Sequence, residues 1–409
     1  MTSWIVCQLG AREHYAIPRA LHQTGQLHSL VTDAWVTPQS WPNHLPGLKS
    51  LCDRYHTDLA DAQIANYTTG LLKFEITHRL QKTASWDRML ARNQWFQKQT
   101  IKTLKSFQER IEANHRPVLF TYSYAGLELL RFAKQAGWRT VLGQIDPGIV
   151  EEQIVITECK KHSDIAPDWE AVPSVYWQNW QEECKLADHI VVNSNWSKSL
   201  LEQVNVPTNK IEIVPLVYQP PIEATKFVRT YPAEFSAERP LRVLFLGLIT
   251  LRKGIAACLE AIHQLKGHPV EFWMVGSQQI EIPAELKDHP QVHWTGPVPR
   301  SQTAQYYQQA DVFLFPTLSD GFGLTQLEAQ AWKLPIIASQ HCGEVVEDRQ
   351  NGLILSKISS QAIADTITYC YQNPEKLADF SSRAVSLDNF RLENLSKHFN
   401  RLVSSVTSF

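Results

Sequence analysis

The chain reads as α/β: two doubly wound, Rossmann-like domains facing across a cleft. Three observations carry that expectation. A length of 409 residues suggests about two or three domains. Short apolar runs alternate with helical patterns in both halves, the rhythm of a parallel sheet covered by helices on both faces. A polar, irregular stretch, PIEATKFVRTYPAEFSAERP at 221–240, separates the two series and reads as the interdomain linker.

In the first half, expected as domain 1–220, SWIVCQLG (3–10) reads as a strand and HYAIPRALHQTG (14–25) as a helix. PVLFTYS (117–123) and TVLGQID (140–146) are strands around the helix GLELLRFAKQAG (126–137). HIVVNS (189–194) is a strand before the helix NWSKSLLEQV (195–204), and KIEIVPL (210–216) closes the set. After the linker, in a domain expected over 241–389, LRVLFLG, VEFWMVG, VHWTG, DVFLFP, PIIAS and GLIL read as strands in that order. Helices fall between them at GIAACLEAIHQLKG, at SQTAQYYQQA with Ser301 as its N-cap, and after DVFLFP. Two helices end the chain, the last (390–409) expected to pack back on the first domain.

Residues 70–116 break the rhythm as a helical insertion without a strand candidate. They carry ten Lys/Arg (Lys73, Arg79, Lys82, Arg88, Arg92, Lys98, Lys102, Lys105, Arg110, Arg116) against four Asp/Glu. A solvated helical face explains this; so does a surface that docks on anionic lipid or an anionic acceptor.

Composition narrows the class. A formal net charge of −2 gives no global electrostatic case for nucleic acid. Seven cysteines without a C-x-x-C pair read as a reducing compartment, not a disulfide framework. The N-terminus has no signal-peptide pattern, and no apolar run is long enough to span a membrane. The expected location is cytoplasmic, with peripheral contact at the inner membrane face as an open addition.

The richest stretch is SDGFGLTQLEAQAWKLPIIAS, 319–339. Gly321 and Gly323 follow a buried strand and allow close backbone approach. The helix they open aims free N–H groups and a positive dipole end at the cleft, a seat for a diphosphate. Asp320 in the turn and Glu328 in the helix lie on the order of 10 Å apart. That is wide for a hydrolase pair and suits a long ligand held at both ends, such as a nucleotide-sugar. Gln326 stands where the dinucleotide fingerprint needs a third glycine. The plain alternative is a glycine turn and then a helix with Glu328 on its surface. A second site, LGLITLRKGI (246–255), also joins a buried strand to a helix. Arg252 and Lys253 there could neutralise a leaving diphosphate; surface basic residues beside a helix start are the plain alternative.

These residues carry a resemblance. SDGFGLTQLEAQAWKLPIIAS is similar to the signature of retaining glycosyltransferase family 4, of GT-B fold, in which two glutamates are separated by seven residues around G-F-G-L. Asp320 stands at the first glutamate and Glu328 matches the second. ADHIVVNSNWSKSLL, KIEIVPL, GLITLRKG, ADVFLFPTLSDGFG and GEVVEDRQNGLIL resemble other family segments in order, so the likeness covers most of the chain from about 187 onward. The resemblance implies transfer of a sugar from a nucleotide diphosphate donor with retained configuration. Glu328 would take the ribose hydroxyls. Asp320 would hold the donor sugar, with the N–H groups of Phe322 and Gly323. Leu324 and Thr325 amides, with Lys253, would meet the diphosphate. The leaving phosphate would accept the acceptor's proton, so no enzyme nucleophile, metal or other cofactor is expected.

There are departures. Leu248 replaces the family's arginine after Gly247, where Arg252 could compensate. The first loop has Gly10 alone in place of paired glycines. Asp146 stands where a histidine is usual, with His14 as another candidate. His341, Cys342 and Glu344 lack the spacing of a metal site. The acceptor is expected to be a saccharide or lipid-linked saccharide. The competing reading is a nucleotide-sugar-binding protein of this fold without transferase activity.

Overall fold

Burial explains the strands. Trp4–Gln8 (β1) has every residue buried, and so has Val118–Tyr122 (β4). The structure, a computed structural model, describes residues 2–40, 51, 53–81, 83–110, 116–167 and 169–404. With Leu27–Thr32 (β2), Ile64–Asn66 (β3), Arg139–Gly143 (β5), His189–Val192 (β6) and Ile211–Ile213 (β7), these strands form a seven-stranded sheet in the order β3-β2-β1-β4-β5-β6-β7. All its pairings are parallel. The second sheet is also parallel. It contains Leu241–Leu246 (β8), Val270–Val275 (β9), Val292–Gly296 (β10), Val312–Phe315 (β11), Ile336–Ala338 (β12) and Gly352–Ile354 (β13), in the order β10-β9-β8-β11-β12-β13. Each order reverses once, between β1 and β4 and between β8 and β11. Open α/β sheets take ligands at the carboxyl ends of the strands flanking such a reversal.

Three expectations are corrected. The sequence reading passed over β2 and β3. In LHSLVT the polar Ser29 and Thr32 are buried among apolar neighbours and mask the run, and β3 has three residues. The stretch 70–116 is not an appended insertion. The helix Ser85–Gln108 is part of the crossover from β3 to β4, and Phe96, Leu104 and Phe107 pack on Ile5, Cys7, Val31 and Leu119. Two of its basic residues, Arg88 and Arg92, line a cavity; Lys82 lies outside the described residues. Ser301 is not an N-cap but sits inside the short turn Arg300–Gln302, and the following helix Thr303–Gln309 has no side-chain cap. The segment 221–240, read as the linker, packs on the C-terminal domain. Arg229 donates hydrogen bonds to the carbonyls of Tyr307 at 2.6 Å and Trp332 at 3.0 Å, and Arg239 forks onto Asp311 at 2.7 Å.

The last helix, Leu392–Ser404, lies against the N-terminal domain. Leu395, Phe399 and Leu402 join the core around Trp4, Leu21 and Phe120, with the Phe399 ring edge-on to Trp4 at 5.4 Å. Residues 405–409 lie outside the described part. The chain therefore crosses between domains twice, and the crossings meet where Tyr218 N–H donates to the Phe390 carbonyl at 2.9 Å. Elsewhere the domains touch through the helix Ile149–Lys161 and the segment behind it: Cys159 and Ile165 join the C-terminal core, and the Ile165 carbonyl accepts the Glu281 N–H at 2.8 Å. Among the described residues no helix is long and apolar enough to cross a membrane.

Candidate active site

Two loops at the carboxyl ends of β8 and β11 build the site. After β8 and Gly247 the chain exposes Leu248, then tightens into the turn Leu251–Lys253 and enters the helix Ile255–Gln264. After β11, residues 316–323 lead into the helix Leu324–Ala331. Gly323 opens that helix at φ +85°, a left-handed conformation that a side chain disfavours. Its first amides, those of Leu324 and Thr325, have no acceptor within the helix, and Leu324 lines a cleft of about 1060 Å³ walled by both domains.

Charge is arranged at two points along this helix. At its start Lys253 is ion-paired with Asp320, and the Lys253 ammonium also sits 4.8 Å above the Phe315 ring. Burial alone would raise the Asp320 carboxyl, but Lys253 and Arg252 outweigh it and hold the group below its ordinary value. One turn further on, Glu328 accepts the Tyr307 hydroxyl at 2.7 Å and faces Arg300 at 3.8 Å, with its side chain 15% exposed. Burial raises the Glu328 carboxyl above its usual range, against the lowering pull of Tyr307 and Arg300. Arg300, Tyr218, Leu324 and, from the N-terminal domain, His14 line the same cleft. The arrangement offers free amides and a cation for a diphosphate, and a carboxylate on either side of them for hydroxyl groups.

Gly321 has a role that the sequence reading assigned differently. A Cβ there would lie 2.7 Å from the Ile145 carbonyl of the N-terminal domain, so the glycine admits the other domain's backbone. The Gly321 carbonyl accepts the hydroxyls of Ser194 at 2.7 Å and Ser197 at 3.2 Å, Ser194 being the N-cap of the helix Asn195–Gln203. Phe322 turns its ring into the core, 3% exposed and edge-on to Phe390, while its N–H donates to Asp320 at 3.3 Å. Arg252 does not stand free beside Lys253. It donates to the Ser319 carbonyl at 2.8 Å and reaches Asp320 at 3.6 Å and Glu151 of the N-terminal domain at 3.8 Å. It brackets the two domains.

The remaining candidates separate. Asp146 adjoins the Gly321 turn, where it accepts the Gly148 N–H at 2.9 Å and the Tyr124 hydroxyl. Gly10 does not join the C-terminal cluster; its N–H donates to Asp33 at 2.9 Å beside a separate cavity in the N-terminal domain. His341 stacks on Trp196 at 4.2 Å and Glu344 accepts the Asn195 N–H at 3.0 Å, so these two serve the domain contact, whereas Cys342 is buried in the C-terminal core. Among the described residues no three His, Cys, Asp or Glu side chains converge as a metal site.

Sequence reasoning missed three residues. Arg300 carried a positional signal, since WTGPVPRS places a cation after a strand as LITLRKG does. Glu151 carried none. Glu13 lies in a run of three non-glycine residues, Glu13, His14 and Tyr15, all at positive φ, a strain that residue types do not announce.

Residues 240–373 match the model of a family described as glycosyl transferases group 1. The chain is similar to the amylovoran biosynthesis glycosyltransferase AmsK of Erwinia amylovora, 28% identical over 186 residues, 41% of this chain and 44% of that one. It is also similar to the D-inositol 3-phosphate glycosyltransferase of Mycobacteroides abscessus, 27% identical over 277 residues, 63% of this chain and 60% of that one. It spans about half the length of the curated relatives it matches. Two solved structures superpose over nearly the whole chain. HepE of Anabaena in complex with UDP matches with a TM-score of 0.62 at 14% identity, covering 99% of this chain and 100% of that one. Sucrose-phosphate synthase of Thermosynechococcus elongatus matches with a TM-score of 0.66 at 16% identity, covering 99% of each chain. The shared fold is GT-B, two parallel-sheet Rossmann-like domains.

Proposed function

We propose that this chain, whose C-terminal domain matches the glycosyl transferases group 1 model, transfers a sugar from a nucleotide diphosphate donor to a saccharide acceptor with retention of configuration, as retaining glycosyltransferase family 4 does. The observation that carries the reading is the helix start at Leu324. Leu324, its first residue, lines the cleft together with Arg300; Lys253 pairs with Asp320 in the turn before it, and Glu328 faces Arg300 one turn further on. Glu328 takes the ribose hydroxyls, Lys253 and the first helix amides take the diphosphate, and Asp320 holds the donor sugar. A UDP donor is favoured by analogy with HepE, whose structures contain UDP and UDP-glucose.

In the proposed step the bond from the anomeric carbon to the diphosphate oxygen breaks and a bond to the acceptor oxygen forms on the same face. The acceptor's proton passes to the departing diphosphate oxygen. No protein nucleophile enters, and Asp320 suits that scheme because Lys253 and Arg252 keep it ionised and engaged. Lys253 supplies countercharge to the leaving group, so the reaction is proposed to need no metal.

The test is incubation with UDP-, GDP- and ADP-sugars together with candidate acceptors, followed by nucleoside diphosphate release and by NMR of the product's anomeric centre, with and without EDTA. A product of unchanged configuration, formed equally with EDTA, supports the reading; an inverted product removes retention. One observation favours the competing reading of a nucleotide-sugar-binding protein: the Asp320 carboxylate is already engaged by Lys253 and Arg252, and the adjoining turn by the other domain. Tight donor binding with no release under any acceptor would select it.

We place the protein in the cytoplasm, in keeping with its described cysteines, all free and buried. We also propose peripheral contact with an anionic bilayer, because the helix Thr68–Leu80 exposes Ile76 and Leu80 beside Lys73 and Arg79. Co-sedimentation with phosphatidylglycerol vesicles that matches neutral vesicles would remove that contact.

A further inference from the structure

The N-terminal domain holds a second cavity, of about 750 Å³, which the donor seat does not use. It opens at the carboxyl ends of β1 and β4, where the sheet order reverses. Its wall is cationic. Arg12 comes from the loop after β1, Arg54 from the connection between β2 and β3, and Arg88 and Arg92 lie one turn apart on the helix Ser85–Gln108. Three carboxylates answer these four guanidinium groups, Glu13 acting on its neighbour Arg12 through space. Asp33, fully buried, takes Arg54 at 3.0 Å and Arg92 at 2.7 Å. Glu75 takes Arg88 and stands 3.8 Å from Arg92. The surplus is positive.

Two further observations point to a ligand. Arg12 makes no hydrogen bond or ion pair among the described residues; its guanidinium lies 5.5 Å over the Tyr122 ring. Ser123, in the same wall and 2% exposed, has a buried hydroxyl without a hydrogen-bond partner, an arrangement that costs free energy unless something fills it. Asp33 acts as a positioning residue, because it fixes both arginines and the Gly10 N–H. The cavity adjoins the donor turn, since Ile145 lines it and the Ile145 carbonyl meets Gly321 beside Asp320.

We propose that this cavity takes the acceptor and that the acceptor is an anionic saccharide, one carrying a phosphate or a carboxylate. Planar guanidinium groups pair with both oxyanions through two parallel hydrogen bonds, and a neutral sugar would leave the surplus charge unanswered. The proposal rests on the glycosyltransferase reading above.

The test is calorimetric titration of the full chain, in saturating UDP, with glucose 6-phosphate, D-glucuronate and glucose. The expected result is that at least one anion binds about tenfold or more tighter than glucose, and which one tells phosphate from carboxylate. Arg88→Ala and, separately, Arg12→Ala are expected to reduce that preference by about tenfold. Arg12 has no hydrogen bond or ion pair among the described residues, so its variant is expected to keep the fold; Arg54 is avoided because its loss strips buried Asp33 of a partner. Glucose binding as tightly as both anions, no anion binding at millimolar concentration, or a preference unchanged in both variants would overturn the proposal. UDP-glucose titration of the unsubstituted chain is the control. Donor binding without anion preference ends this inference alone, whereas absent donor binding ends the functional reading beneath it.

Discussion

Gly321→Ala probes whether turnover needs the two domains docked at the donor turn. The added Cβ would lie 2.7 Å from the Ile145 carbonyl oxygen, and ordinary contact begins at 3.4 Å, so the turn must retreat by about 0.7 Å or the N-terminal strand end must yield. A retreat of that size takes the Gly321 carbonyl beyond hydrogen-bonding range of Ser197, now at 3.2 Å, and stretches the bond from Ser194, now at 2.7 Å. Overpacking costs about 1–3 kcal/mol and a lost hydrogen bond about 1 kcal/mol. If the docked arrangement is the one that turns over, kcat/KM falls roughly 30- to 1000-fold. Each domain has its own core, and Glu328, Lys253 and the helix start all belong to one of them, so the affinity for UDP stays within about threefold. The assay is steady-state turnover beside UDP titration. A kcat/KM within threefold of the unsubstituted protein, or a UDP affinity that falls in parallel, would refute the reasoning.

Two other perturbations test single side chains. Lys253→Ala is expected to cost more in kcat than in donor affinity, because in the proposed step the ammonium answers charge that grows on the leaving diphosphate; single-turnover rates beside donor titration check this, and a loss confined to binding would contradict it. Glu151, pushed up to about 7 by burial despite the lowering pull of Arg252, takes a proton as pH falls through that value and ceases to answer Arg252. The acid limb of kcat/KM is expected near pH 7 and is flattened in Glu151→Gln. Its effect on stability has the opposite sign. The folded form binds the extra proton between the ordinary 4.5 and about 7, so stability falls as pH rises across that window. The drop in melting temperature from pH 5 to pH 8 should shrink in the variant.

The second sheet was legible because its strands are short runs rich in apolar residues that alternate with helical patterns, and all six runs form strands in the order read. The first sheet was legible only where the same pattern holds. In β2 the buried Ser29 and Thr32 look like a loop when read along the chain, and the helix Ser85–Gln108 looks like a solvated face because the partner of Arg92, buried Asp33, lies far away in sequence. The candidate site divides in the same way. Lys253, Asp320 and Glu328 stand on local strand-to-helix patterns and could be named from them. What Gly321 and Arg252 do depends on the other domain, through Ile145 and Glu151, and no local pattern carries that. Arg54, Arg92 and Asp33 meet from three separate segments, which is tertiary information.

The donor seat itself is tested most directly by titrating the full chain with UDP-glucose and repeating the titration with Glu328→Gln and Glu328→Ala. A carboxylate that grips two ribose hydroxyls contributes charge-assisted hydrogen bonds of about 1.5–3 kcal/mol each. Glutamine keeps one acceptor for them, so binding is expected to weaken by about tenfold in Glu328→Gln and by about a hundredfold or more in Glu328→Ala. UDP-glucose affinity unchanged in both variants would show that the ligand does not sit at this helix.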